Sequence, residues 1–404
     1  MSLSQGYYLF MQSYEKVLEY LFDKLPMYQN KGADALEYKL DNIRSFCNVL
    51  ESPQESYPII HVAGTNGKGS VSHMLSSIFQ EAGFKTGLYT SPHLKNFTER
   101  IKVNGKEVSQ ESVVTFVEKY QYLTDQLSPS FFEWTVAMAF HEFKVQEVDI
   151  AIVEVGLGGR LDSTNIVNPL LSVITNISKD HMNILGNTLE QIAAEKAGII
   201  KKEIPVIIGE RQDLAERVFE KKANLLNAPL YFASDDSFGE YECDLKGMYQ
   251  SKNCKTALKT IEIFNKYNYN HISNEHIING LKNVIRNTGL KGRWQVLSND
   301  PVTICDTAHN EAGVKEIVRQ LNQISYLHLW MIWGMVEDKE IDTILSLLPK
   351  KANYLFCEPS VSRKLTATHL MKRGEKYGLK GEVFPNVNDA LKFAREKADK
   401  GDVI

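Results

Sequence analysis

The sequence predicts an α/β fold built on a mostly parallel sheet and divided into two domains. Three observations predict it. Short β-rich apolar runs alternate with helical periodicity, the first run opens into a glycine-rich turn, and 404 residues exceed what one core usually holds. Strands alternating with helices pair in parallel and are covered on both faces. Hydrophobic residues at 43% and charged residues at 24% are ordinary globular proportions. A formal net charge of −4 argues against a general binder of nucleic acid or membrane surfaces, while leaving room for local basic pockets. No apolar run reaches bilayer-spanning length. The five cysteines, at 47, 243, 254, 305 and 357, lack metal or redox spacing and fit free thiols in a reducing cytoplasm. The apolar patch Tyr7-Tyr-Leu-Phe-Met11 has neither a basic flank nor a cleavage site. A cytoplasmic location is expected.

The elements follow in order. Tyr14, Val17, Leu18, Leu21 and Phe22 share one helical face, and Leu36, Leu40, Ile43 and Phe46 another, with Pro26 to Gly32 as a loop between. Tyr57-Pro-Ile-Ile-His-Val62 is a strand that enters the glycine turn, and a helical pattern runs from Val71 to Ala82. Asp149 to Val155, Leu171 to Thr175 and Ile204 to Ile208 are further strands, with a helix from Leu189 to Ile200 among them. The pattern pauses at Asn287-Thr-Gly-Leu-Lys-Gly292, which places the boundary between domains 1–288 and 289–404. A second α/β series follows: Val302 to Cys305, Gly313 to Ile324, Leu327 to Trp333 and Tyr354 to Cys357.

The segment His61-Val-Ala-Gly-Thr-Asn-Gly-Lys-Gly-Ser70 carries the first chemistry. Strand, glycine turn and helix start turn backbone N–H groups and helix dipole toward phosphate oxygens. Lys68 reaches terminal phosphates and the Ser70 hydroxyl can ligate Mg²⁺. Only Thr65 and Asn66 separate Gly64 from Gly67, and Gly69 intervenes before Ser70, so the spacing departs from the common phosphate loop. An ordinary glycine turn before a helix is the plainer alternative. Three further features lie at strand ends, where a doubly wound sheet presents its ligands. Glu154 ends an apolar strand, and needs either a cation or an ion pair, for instance with Arg160. Asp180-His181 follows the strand 171–175; the histidine is a ligand, a proton carrier or a structural residue. Lys196, in a helix of small residues, reads from the pattern alone as solvent-facing.

Taken together these segments resemble the folylpolyglutamate synthase and dihydrofolate synthase family of the Mur-ligase superfamily. The resemblance rests on the 61–70 loop, Thr90-Ser-Pro-His-Leu94 with Glu99-Arg-Ile101, and Glu154-Val-Gly-Leu-Gly-Gly-Arg-Leu-Asp162. Asp180-His181, Thr188 to Ile199, Gly292-Arg-Trp294, Asp306-Thr-Ala-His-Asn310 and Gly334-Met-Val-Glu-Asp-Lys339 continue it in family order. It implies a phosphate-loop ATP-binding domain and a smaller Rossmann-like carboxyl-terminal domain that closes over the nucleotide. It implies ATP-dependent addition of L-glutamate to 7,8-dihydropteroate, to reduced folates or to both, through an acyl phosphate. ATP would be held by Gly64, Thr65, Asn66, Gly67, Lys68, Gly69, Ser70, Asn253, Arg293 and Asp306. Lys196 would be carbamylated by CO₂; with Glu154 and His181 it would hold one Mg²⁺, while Ser70 and Glu154 hold another. Lys68, His181, Lys196, Asp306 and His309 are the implied catalytic set. Ser91, Pro92 and His93, with Phe132 in Phe131-Phe-Glu-Trp134, would meet the pteridine-bearing substrate.

A cell-wall precursor ligase of the same superfamily is the nearest rival, but would carry its own substrate domain ahead of the loop, where about 60 residues stand here. A non-catalytic nucleotide-binding protein would leave His181, Lys196 and the 306–309 motif unexplained. Small-molecule partners and a monomer are expected, with neither nucleic acid nor membrane. The family pattern runs on past Gly401-Asp-Val-Ile404 through a last strand, so the resemblance implies a missing terminal segment or a short member.

Overall fold

The computed structural model describes residues 13–25, 39–267, 271–337, 340–361 and 363–404. The expected loop 26–32, Leu36, the patch 7–11 and residues 338–339 of the Gly334 motif lie outside them. The chain forms two compact units. The first comprises 1–177, 189–244 and 252–289; the second comprises 178–188, 245–251 and 290–404. Two earlier segments, 178–188 and 245–251, thus group with the second unit. The physical tie for one of them is Asp180, whose carboxylate accepts from Asn310 Nδ2 at 3.0 Å.

In the first unit eight strands make one sheet. They are β1 (Ile59–Ala63), β2 (Thr86–Tyr89), β3 (Ile101–Val103), β4 (Lys106–Glu107), β5 (Ile150–Glu154), β6 (Leu171–Ile174), β7 (Val206–Ile208) and β8 (Leu230–Phe232), ordered β4-β3-β2-β5-β1-β6-β7-β8. All pairings are parallel except β2–β3 and β3–β4. Every residue of β1 and β5 is buried, as helices on both faces require. The antiparallel edge turns at Asn104-Gly105, both with positive φ, and that dipeptide is itself a hairpin signal. Helix Tyr14–Lys24 is capped by Ser13 and buries Val17 and Leu21; helix Asp41–Val49 buries Ile43 and Phe46. Phe46 meets Trp134 edge-on at 5.0 Å in the main apolar cluster. Helix Lys68–Glu81 is buried from Gly69 through Phe79. A helix apolar or small on all sides belongs inside, and this one carries the glycine turn at its start.

The second unit holds a parallel sheet of β11 (Trp330–Trp333), β12 (Asn353–Cys357) and β13 (Lys380–Phe384). The expected strand 302–305 does not open that parallel series. It is β10 (Val302–Cys305), paired antiparallel with β9 (Gln295–Asn299). β9 has no buried residue and so gives no apolar run to read. The last residues join the two sheets: Val403 bridges Val302 and Leu329 in parallel, and Ile304 N donates to Ile404 O at 2.8 Å. Tyr354 and Phe356 stack at 5.5 Å in a core completed by Leu345, Leu370 and Leu379. Among the described residues, no helix is long and apolar enough to cross a membrane.

Candidate active site

The glycine turn is built between β1 and helix Lys68–Glu81. Gly64 and Gly67 have φ of +142° and +85°, which side-chain-bearing residues resist. A Cβ on Gly64 would strike Thr175 Oγ1, and one on Gly67 would strike Asn253 Oδ1. Residues just beyond β6 fasten the turn: Thr65 N donates to Asn176 O at 2.8 Å, Asn66 N to Asn176 Oδ1 at 3.1 Å, and Thr175 Oγ1 to Asn66 O at 2.6 Å. The Lys68 ammonium folds over the loop, donating to Gly64 O at 3.1 Å and Thr65 O at 3.2 Å. Ser70 is buried in the first helical turn. Asn253 is buried in the first turn of helix Gln250–Tyr267, against Gly67.

Lys196 is not solvent-facing. It is 4% exposed, and its Nζ donates to Gly64 O at 2.8 Å. A lysine 132 residues away thus shares a carbonyl with Lys68. Its helix Leu189–Lys196 turns inward at its end and continues as a 3₁₀ turn, Ala197–Ile199. Glu154 is also 4% exposed, at the end of β5, and Oε2 accepts from Ser91 N at 3.1 Å. The alternative pairing with Arg160 does not form; Arg160 pairs with Glu195 at 2.9 Å. Buried carboxylate and hydroxyl oxygens are the hard donors Mg²⁺ takes.

The segment after β2 carries Ser91, Pro92 and His93. Arg100 Nε donates to His93 Nδ1 at 2.8 Å. Phe131 and Trp134 are core residues of helix Phe131–Val145, whereas Phe132 is half-buried, with its ring over Gly156 and 6.1 Å from Tyr89. Of the four aromatic-segment residues, Phe132 keeps a partly open ring.

In the second unit, the turn Gly292-Arg-Trp294 and the loop 306–310 are knitted together. Asp306 Oδ2 accepts from Trp294 N at 2.7 Å and from the Tyr249 hydroxyl at 2.6 Å, while Oδ1 accepts from Ala308 N at 2.8 Å. Arg293 donates to Gly292 O and to Thr307 Oγ1. His309 Nε2 lies 3.2 Å from Asp180 Oδ2, and His181 Nε2 lies 3.7 Å from Asp180 Oδ1. The ligand atoms of Asp180, His181 and His309 all fall within 4.8 Å of one another. His181 has φ +50°, a strained backbone that sets it at the start of helix Met182–Leu185. Arg293, Asp306 and His309 are therefore together, with Asp180–His181 beside His309.

Two partners escaped the sequence. Tyr249 holds Asp306 from 57 residues away, and burial followed by the Asp306 charge raises its phenol far above the usual range. Arg100 is buried, feels the Glu154 charge and donates to His93. The Glu99-Arg-Ile101 motif was the available signal for Arg100; nothing local marked Tyr249.

Residues 62–282 match the Mur ligase middle domain, and residues 292–404 match the Mur ligase, glutamate ligase domain. The dihydrofolate synthase/folylpolyglutamate synthase of Bacillus subtilis is 33% identical over 386 residues, covering 88% of each chain. Escherichia coli FolC in complex with DHPP and ADP superposes with a TM-score of 0.86 at 28% identity, over 98% of this chain and 94% of that one. A bifunctional folylpolyglutamate synthase/dihydrofolate synthase with Mn, AMPPNP and L-glutamate bound gives 0.83 at 29% identity, over 98% and 94%. With both domains matched in order over nearly the whole chain, this protein belongs to the dihydrofolate synthase/folylpolyglutamate synthase family of Mur ligases.

Proposed function

We propose that the protein joins L-glutamate in amide linkage to a pteridine-bearing carboxylic acid, 7,8-dihydropteroate and reduced folates both serving, at the expense of ATP. The observation that carries this reading is the meeting of Lys68 and the buried Lys196 on one carbonyl of the glycine turn. A carboxylate is a poor electrophile. Its oxygen attacks the γ-phosphorus of ATP, the bond to the β-phosphate oxygen breaks, and ADP leaves an acyl phosphate behind. The α-amine of glutamate then attacks the acyl carbon, phosphate departs, and the amine gives up a proton. Lys68 and Arg293 offset charge on the transferring group, and the N–H groups of the turn hold the phosphates. Asp306 and His309 position the second substrate. Asn253, against Gly67, serves the nucleotide.

In the first unit the buried Ser70 and Glu154 carry the kind of oxygen donors a divalent cation takes. Ser70 and Glu154 would hold one Mg²⁺; Glu154, His181 and carbamylated Lys196 would hold a second. A divalent cation held there would offset charge on the phosphoryl group. As an amine, Lys196 is a cation that opposes a metal; its carbamate is an anion that favours one. The protein acts as a cytoplasmic monomer on small molecules.

ADP release should require ATP, L-glutamate and either dihydropteroate or a reduced folate together. ADP release indifferent to the pteridine would refute the assignment. Lys68→Ala should lower kcat/KM at least about a hundredfold, on the scale of losing a charge-stabilising donor.

A further inference from the structure

Arg100 is a charged side chain 4% exposed in the first unit. It lies over the Phe131 ring at 5.3 Å, interacts with the Tyr89 hydroxyl, feels the Glu154 charge, and donates from Nε to His93 Nδ1 at 2.8 Å. That last contact has one chemical reading. A guanidinium has only donors, so Nδ1 of His93 must accept with its lone pair. The ring proton of the neutral histidine is then on Nε2. No described residue accepts from Nε2, and His93 is half-buried. Phe97 packs on the ring edge-on at 6.4 Å, which fixes its plane.

We propose that Arg100 is a positioning residue that locks His93 as a neutral Nε2–H hydrogen-bond donor to the pteridine-bearing substrate. This rests on the assignment of the 91–93 segment to that substrate under Proposed function. His93 is then neither a base nor a cation. The same guanidinium feels the Glu154 charge, and Ser91 N donates to Glu154 Oε2 at 3.1 Å, so the 91–93 segment is tied to that carboxylate. Burial first, and then the Arg100 charge, push the His93 ring down to about 4, against a smaller opposing pull from Glu99. Its hydrogen-bonding character therefore does not change across the working pH range.

The test uses the full chain with ¹⁵N-labelled histidine, the His93 signals being assigned through His93→Gln. A long-range ¹H–¹⁵N correlation at pH 7.5 should show Nε2 protonated and Nδ1 bare, unchanged at pH 5.5. An Nδ1–H ring or an imidazolium at either pH overturns the proposal. Arg100→Lys keeps the charge but loses the planar Nε–H, and should give both tautomers; a single Nε2–H form retained in a folded variant removes Arg100 from the argument. If that variant does not fold, the wild-type tautomer still decides. His93→Phe should raise KM for dihydropteroate about tenfold, as for one lost hydrogen bond, with KM for ATP and glutamate within about twofold. His93→Gln should recover most of the loss. An unchanged dihydropteroate KM in His93→Phe refutes the donor role. Wild-type protein without pteridine-dependent ADP release would instead refute the proposed function, and the substrate half of this inference with it, while the spectra still judge Arg100.

Discussion

His61 stands in the middle of β1, fully buried, with Nε2 2.8 Å from Thr164 Oγ1. The Thr164 hydroxyl donates onward to Asp162 Oδ1, so it accepts from His61, and the ring is the neutral Nε2–H form. Burial, aided by the Lys201 charge, lowers its pKa to about 3. In the unfolded chain the ring titrates near 6.5. Between those values the unfolded state binds the extra proton, so stability falls as the pH drops. The loss from this group is roughly 3 kcal/mol by pH 4. Urea midpoints measured from pH 7 to 4 should show it, and His61→Asn should flatten the slope; an equal slope in the variant would remove His61 as the cause. At the same scale, Lys196→Ala should cut kcat by about 10²–10³-fold, with partial return on adding small carboxylic acids. A ¹³C-bicarbonate carbamate signal present in wild type and absent in this variant is the readout that does not depend on turnover. No loss of activity would end the carbamate role.

At the scale of elements, the turn between β1 and helix Lys68–Glu81 is the feature with least tolerance. Gly67 has φ +85° and Asn253 Oδ1 fills the space a Cβ would need. Gly67→Ala should therefore abolish ATP-dependent turnover while leaving the sheet folded, seen as normal far-UV circular dichroism with no ADP release. Helix Phe131–Val145 starts with a capping box, Ser130 and Glu133 each accepting the other's backbone N–H. Ser130→Ala should cost about 1 kcal/mol by denaturant titration. An unchanged midpoint would mean the buried helix holds its start through packing alone.

For the whole molecule, the second unit depends on residues far along the chain. Val403 N donates to His328 O, and Trp330 N donates to Val403 O at 2.8 Å, so the final residues pair between β10 and β11. Removing residues 401–404 should destabilise the second unit and leave the first intact. Thermal unfolding should then separate into two steps where Trp330 and Trp333 report the earlier one.

What the sequence determined by itself was local. Alternating apolar runs and helical faces give the α/β class, because periods of 2 and 3.6 are written in neighbouring residues. The turn at 64–70 was legible for the same reason: strand, glycines, lysine and helix are contiguous. The ordered motifs then carried the family. Contacts between distant segments were not legible. β9 lacked an apolar run, so the antiparallel partner of β10 had no signature. Lys196 read as a surface lysine until the fold brought its Nζ to Gly64. Asp180 meets His309 across 129 residues, and Tyr249 meets Asp306 across 57. Periodicity reports which face a residue takes within its own element. Which other element covers that face is fixed only when the sheet order and packing close around it, and there the tertiary structure decides the site.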